Sequence, residues 1–233
     1  MKVAGVDASR IVVLAQSLGT AVASGIVERF AARGVDFAGV VLVSGFGGLR
    51  GMLADYAIAG LIPVMRPLKI LFPWLLRRLL ALIVDEWRSS DRLEQLVRTV
   101  KARDGRLRLS LVHAKDDWDI PWTEDDKMFA AAVKGTLEED DDIDTQVLAE
   151  QKDKITVGRG PDAFVATWKD GDVVIRQELF PYGGEYLLHH IMLLLSSSSL
   201  TLIGHNNIMM YAPVSLAVMR SFDLGGTGDA ECE

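Results

Sequence analysis

Three places in the chain carry side chains whose types and order could perform acyl transfer: Ser17 in "AQSLG", Asp116 and Asp117 in "HAKDDWDIPW", and His205 in "GHNN". A serine hydroxyl is a poor nucleophile at neutral pH and needs an imidazole to take its proton. That imidazole in turn needs a carboxylate to fix its tautomer and to stabilise the cation it becomes. Singly, each has a plainer role. A serine at a strand-to-helix turn usually caps the helix, paired aspartates after a strand usually serve a turn, and a lone histidine usually packs. What sets these apart is their order of hydroxyl, acid and imidazole, each following its own apolar run.

Those groups need strands that end where they begin. "RIVVLA" (Arg10–Ala15) is a continuous apolar run, the mark of a strand buried on both faces in a parallel sheet. After Ser17, "LGTAVASGIVERFAAR" reads as a helix, with Val22, Ile26 and Phe30 at every fourth position and Gly34 as a left-handed stop. "AGVVLVSG" (Ala38–Gly45) is a second buried strand, completing a βαβ unit. Leu49 to Ser90 reads as a helical insertion, in which Pro73 suits a first helical position. Asp91 and Glu94 resemble a capping box for a helix whose Leu93, Leu96, Val97 and Val100 form one stripe. "RLRLSLVHA" (Arg106–Ala114) is a third strand, and "WTEDDKMFAAAVK" a helix capped by Thr123. Thr136 to Lys154 is acidic and reads as a solvated loop or surface helix. Two β-rich runs flank Asp170-Gly171 as a hairpin, and "NIMMYAPVSLAVMRSF" is a helix bent at Pro213.

Composition narrows the function classes. The 233 residues are 49% hydrophobic and 24% charged, enough for one core. A net charge of −7, with no basic stretch dense enough for phosphates, argues against a nucleic-acid partner. The single cysteine, Cys232, cannot form an internal disulfide. "MKVAGVDASR" lacks the apolar core of a signal peptide, and no apolar run reaches membrane-spanning length, so the chain reads as soluble and cytoplasmic. His189-His190 lacks metal-ligand spacing, and "GFGGLRG" misses the dinucleotide fingerprint, so neither a metal nor a cofactor is expected.

Taken together, "VVLAQSLGTAV", "YAIAGLIPVMRPL", "VDEWRSSDRL", "LVHAKDDWDIPW" and "GHNNIMMYAPVSLAVMRSF" resemble the α/β-hydrolase superfamily. The resemblance is to its fungal monoacylglycerol/lysophospholipid lipase-like branch, of the α/β-hydrolase-domain-twelve type. It implies a partial α/β-hydrolase fold: a mostly parallel sheet starting at the nucleophile-elbow strand, with an inserted helical cap at about 49–90. By the same resemblance Ser17 is the nucleophile, His205 the general base and Asp117, four residues before Pro121, the acid, with Asp116 the fallback. The backbone N–H of Leu18 contributes to the oxyanion hole. The usual elbow, Gly-x-Ser-x-Gly, has Ala15 at its first glycine. The implied reaction is hydrolysis of a lipid carboxylic ester, monoacylglycerol or lysophospholipid, with the cap forming an acyl entrance or touching a membrane surface. Family members are associated with the endoplasmic reticulum or other membranes. The alternatives are a non-catalytic remnant that binds partners, and a serine hydrolase of thioesters or peptides.

Two departures qualify the resemblance. The family has strands upstream of the elbow, with a loop supplying a second oxyanion N–H. The chain is therefore read as one incomplete domain over 1–233, N-terminally truncated, poorly folded and nearly inactive alone, since a lost oxyanion donor costs about 10²–10³-fold in rate. The family also runs "ELFPYGG" straight into "HN", whereas here Glu185–Gly204 intervenes. Gly184-Glu185-Tyr186 can be encoded by a splice-donor sequence and Ile203-Gly204 by an acceptor, and Ser196–Ser199 is a serine run. This block is read as a retained intron, which sequencing of the transcript tests.

Overall fold

Four strands pair side by side in parallel, all of them rich in the β-branched and aliphatic residues that favour strands. In the computed structural model these are β1 (Val12–Gln16), β2 (Gly39–Val43), β3 (Leu107–Ala114) and β6 (Val173–Phe180). β5 (Phe164–Asp170) adds antiparallel to β6, and β4 (Thr156–Gly158) antiparallel to β5, giving the order β1-β2-β3-β6-β5-β4. The structure describes residues 2–3, 5–54, 57–58, 62–63, 70–83, 86–117, 119–137, 145–181 and 208–223. His205 and the block 185–204 lie outside them. Two short ribbons, Lys2–Val3 with Val6–Asp7 and Ala57–Ile58 with Ile62–Pro63, stand apart from the main sheet.

Alternation along the strands divides the core between the two faces. Leu42, Leu109, Leu111 and Ile175 face α1 (Leu18–Ala31), α4 (Ser89–Lys101) and α5 (Thr123–Lys134), meeting Val27, Leu93, Val97, Met128 and Phe129. Val41, Val43 and Val112 face the other way, against Phe180, Ile208 and the helix Ala212–Arg220. The remaining helices are α2 (Leu49–Ala54) and α3 (Pro73–Ala81) in the insertion, and α6 (Thr145–Ile155); Ala212–Arg220 is α7. The α/β class, the mostly parallel sheet starting at the elbow strand and the helical insertion are all as the sequence led one to expect.

Several local expectations fail for physical reasons. β1 is not buried on both faces: it ends the sheet, and Leu14 is 42% exposed. In α1 the buried face is Thr20, Ala23, Ser24, Val27 and Ala31, while Val22 and Ile26 are exposed. Small residues win because α4 lies close, where Arg92 donates to the Ala21 carbonyl at 2.9 Å. No capping box forms: α4 starts at Ser89, and Glu94 pairs instead with Arg98 at 3.0 Å and Lys134 at 3.6 Å. Thr123 is the first residue of α5 rather than its cap. Pro213 does not bend a helix but opens one, in the first turn where no N–H is needed. Gly34, at φ +75°, does stop α1, with Val35 N–H reaching back to Phe30. Part of the acidic stretch is the helix α6, and the hairpin turns at Gly171-Asp172, with Asp170 opposite Val173.

Candidate active site

Hydrogen bonds that run on beyond the strand ends place the site along one edge of the sheet. Ser17 N–H donates to Val43 at 3.0 Å, Ser44 N–H to Val112 at 2.9 Å, and Lys115 N–H to Phe180 at 2.8 Å. Ser17 and the Asp117 loop thus follow β1 and β3 at the carboxyl ends of parallel strands, where open α/β sheets bind ligands. With β2 between them, the two strands are about 10 Å apart.

Ser17 has φ +53° and ψ −129°, a backbone conformation that an L-residue avoids, costing about 1–3 kcal/mol. Its neighbours hold it there. Thr20, which is buried, donates both its N–H (2.9 Å) and its hydroxyl (2.6 Å) to the Ser17 carbonyl. Ala15 fits in place of glycine, since a Cβ built on Gly19 would lie 3.9 Å from the Ala15 Cβ, an ordinary contact. Ser17 stands at the N-cap position of α1, yet its side chain makes no capping bond, and its hydroxyl has no hydrogen-bond partner among the described residues. The plain capping role is therefore not the one it plays. Leu18 is the first residue of α1, so its N–H belongs to the set a helix leaves without internal acceptors.

The acid side is closed. The Asp117 side chain is buried, and its Oδ1 accepts the N–H groups of Asp119 at 3.1 Å and Ile120 at 3.0 Å. Its Oδ2 lies 3.3 Å from Nε2 of His113, which is buried at the end of β3 and faces the Ile120 carbonyl at 2.9 Å. On the ring's other side, Nδ1 is 3.1 Å from Oδ1 of Asp125 in the first turn of α5. That contact is off the line of a hydrogen bond, so it is chiefly one of charge. Burial lowers the His113 pKa, but the charge of Asp125, with the hydrogen bonding and charge of Asp117, overrides it and raises it to about 10. Burial pushes the Asp125 carboxyl up more than the His113 cation pulls it down, so its pKa is raised.

The sequence reading passed over His113 and Asp125. The available signal was a histidine in an apolar strand with an aspartate four residues on and three acids opening the next helix. Asp116 is on the same loop as Asp117, but the buried network forms around Asp117. In the glycine loop after β2, Gly47 N–H donates to the buried Glu124 carboxylate at 3.0 Å. Among the described residues, no group of three potential ligands could hold a metal ion, and no helix is long and apolar enough to cross a membrane.

No family model and no curated protein matches the chain. Among solved structures it is similar to Pyrococcus horikoshii acylaminoacyl peptidase (uncomplexed), at 16% identity and a TM-score of 0.34. The match covers 56% of this chain, and the chain spans 18% of that one.

Proposed function

We propose that the chain carries the catalytic portion of a serine ester hydrolase of the α/β-hydrolase type, with Ser17 as nucleophile, His205 as base and Asp117 as the acid that orients it. The observation that carries this reading is the strained, half-buried Ser17, whose hydroxyl is held at a strand-to-helix apex and spent on no structural bond. His205 takes the Ser17 proton as the oxygen attacks the ester carbonyl, and the Leu18 N–H meets the developing oxyanion. Collapse breaks the ester C–O bond, with the departing alcohol taking the proton from His205. Water, deprotonated by His205, then releases the acid and restores Ser17. Ile208, three residues beyond His205, is fully buried with Val43, Val112 and Phe180, a covalent tether of about 11 Å at most.

A lipid ester, monoacylglycerol or lysophospholipid, is the proposed substrate class, and the insertion supports it. Around α3 the chain exposes Ile70, Leu71, Phe72, Trp74 and Leu82, and Arg77 and Arg78 are exposed beside them. Between Asp55 and Asp85 there are four basic and no acidic residues, although the whole chain carries −7. An apolar face fringed by cations suits an anionic lipid interface. Arg77→Glu with Trp74→Ser should abolish cosedimentation with phosphatidylserine-containing vesicles; unchanged sedimentation removes the interface role.

A fluorophosphonate probe tests the chemistry. The folded chain should label covalently at Ser17, and Ser17→Ala should abolish labelling. A demonstrably folded wild-type chain that stays unlabelled overturns the hydrolase reading in favour of a non-catalytic remnant. Turnover of short thioesters or peptides in preference to long-chain acyl esters overturns the substrate class alone.

A further inference from the structure

We propose that His113, clamped between Asp125 of α5 and Asp117 of the following loop, is a positioning residue that fixes the direction and the charge of the Asp117 carboxylate. The inference rests on the reading of Asp117 as the acid of a hydrolase site, and deepens it.

Donor counting comes first. A neutral imidazole carries one N–H and one lone pair. In this pocket Nε2 faces two oxygens, the Ile120 carbonyl at 2.9 Å and Asp117 Oδ2 at 3.3 Å, while Nδ1 faces Asp125 Oδ1 at 3.1 Å. Either neutral tautomer would turn a lone pair toward oxygen; a ring with both nitrogens protonated meets acceptors on both sides. The charge count agrees. The side chains of Asp117 and Asp125 are both sealed from solvent, and among the described residues neither Asp125 oxygen has a hydrogen-bond partner, a state sustainable beside a cation. The lysines nearby are committed elsewhere: Lys152 of α6 to Asp126, Lys127 of α5 to Glu124, and Lys115 of the acid loop to Asp162. Asp126 is further occupied by the Gln177 amide from β6 at 2.8 Å. Among the described residues, His113 is the cation that meets Asp117 and Asp125.

The consequence for catalysis is specific. With two backbone N–H groups on Oδ1 and His113 beside Oδ2, the Asp117 carboxylate is held in one orientation next to a cation that favours its ionised form. Without His113, two buried carboxylates repel across the pocket with no cation between them, which favours protonation of at least one. A protonated Asp117 cannot hold the base in its working tautomer, a fault that costs up to about 10⁴-fold in comparable triads.

The test measures the second-order rate of fluorophosphonate labelling against pH for wild type, His113→Gln and Asp125→Asn. Alongside it, ¹⁵N spectra of the imidazoles are recorded in Ser17→Ala, which needs no activity and no His113 variant that folds. The expected result for His113→Gln is labelling slowed at least tenfold at pH 7 with an acid limb displaced to higher pH. The expected His113 spectrum shows two protonated ring nitrogens at pH 7. A folded His113→Gln chain with wild-type rate and acid limb overturns the positioning role while leaving the hydrolase reading intact, as does a neutral His113 ring at pH 7. A folded wild-type chain that does not label removes both.

Discussion

Ser17 sits on the outermost strand of the sheet, in a strained backbone conformation, with a hydroxyl that no described group engages. Asp117 follows the strand two places inward, sealed from solvent, with one carboxylate oxygen on two amides and the other against an imidazole. The surroundings differ as much. Beside the serine, Leu14 and Leu18 are 42% and 50% exposed, while the aspartate's neighbours His113, Asp125 and Ala114 are all at most 1% exposed. The contrast follows from the chemistry each group would perform. A nucleophile must be reachable and uncommitted, so the fold holds its backbone and leaves its side chain free. An orienting acid must not move or change charge, so the fold fastens both of its oxygens, and a carboxylate with about four acceptor sites keeps one for the base.

The largest effect is expected where the contacts are densest. Asp117→Ala leaves the His113 cation and two amides facing a cavity, and should lower unfolding free energy by about 3–5 kcal/mol, read from urea denaturation. A loss below about 1 kcal/mol would show the acid side to be no better fastened than the serine side. The same network should have a pH signature. The folded-state pKa of His113 is raised from 6.5 to about 10, so its contribution is full below pH 6.5 and disappears as pH rises through about 10. The stability difference between wild type and His113→Gln should therefore shrink over that window, and a difference independent of pH would contradict the clamp.

The contrast also explains what the sequence disclosed and what it withheld. β2 and β3 were legible because a buried parallel strand reads as a nearly continuous apolar run: "VVLV" is unbroken, and "LSLV" is interrupted only by the small Ser110. The tight strand-to-helix turn at Ser17 was legible because small residues, Ala15 and Gly19, flank it. Helix starts were not legible. Thr123 and the Asp91/Glu94 pair have capping chemistry, but capping depends on one residue's backbone angles, which α4 and α5 set one to three residues away. Nor was the buried face of α1, where close approach to α4 favoured Ala23 and Ser24 over Val22 and Ile26. The clamp was hidden for a third reason. His113 pairs with Asp125 only because α5 folds back across the end of β3, and no local periodicity records that meeting.

The smaller effect belongs to the serine side and has the opposite sign. At φ +53° and ψ −129°, Ser17 occupies a region that glycine reaches without a Cβ clash. Ser17→Gly removes no hydrogen bond made by the side chain, because among the described residues there is none to remove. The substitution should therefore raise unfolding free energy by part of the strain, about 1 kcal/mol, after glycine's larger entropy in the unfolded chain is subtracted. Ser17→Ala, which keeps the Cβ, should leave stability nearly unchanged, and both should abolish fluorophosphonate labelling. If Ser17→Gly destabilises the chain as Asp117→Ala does, the hydroxyl is holding structure together. The separation of a strained, uncommitted nucleophile from an immobilised acid would then fail at its first term.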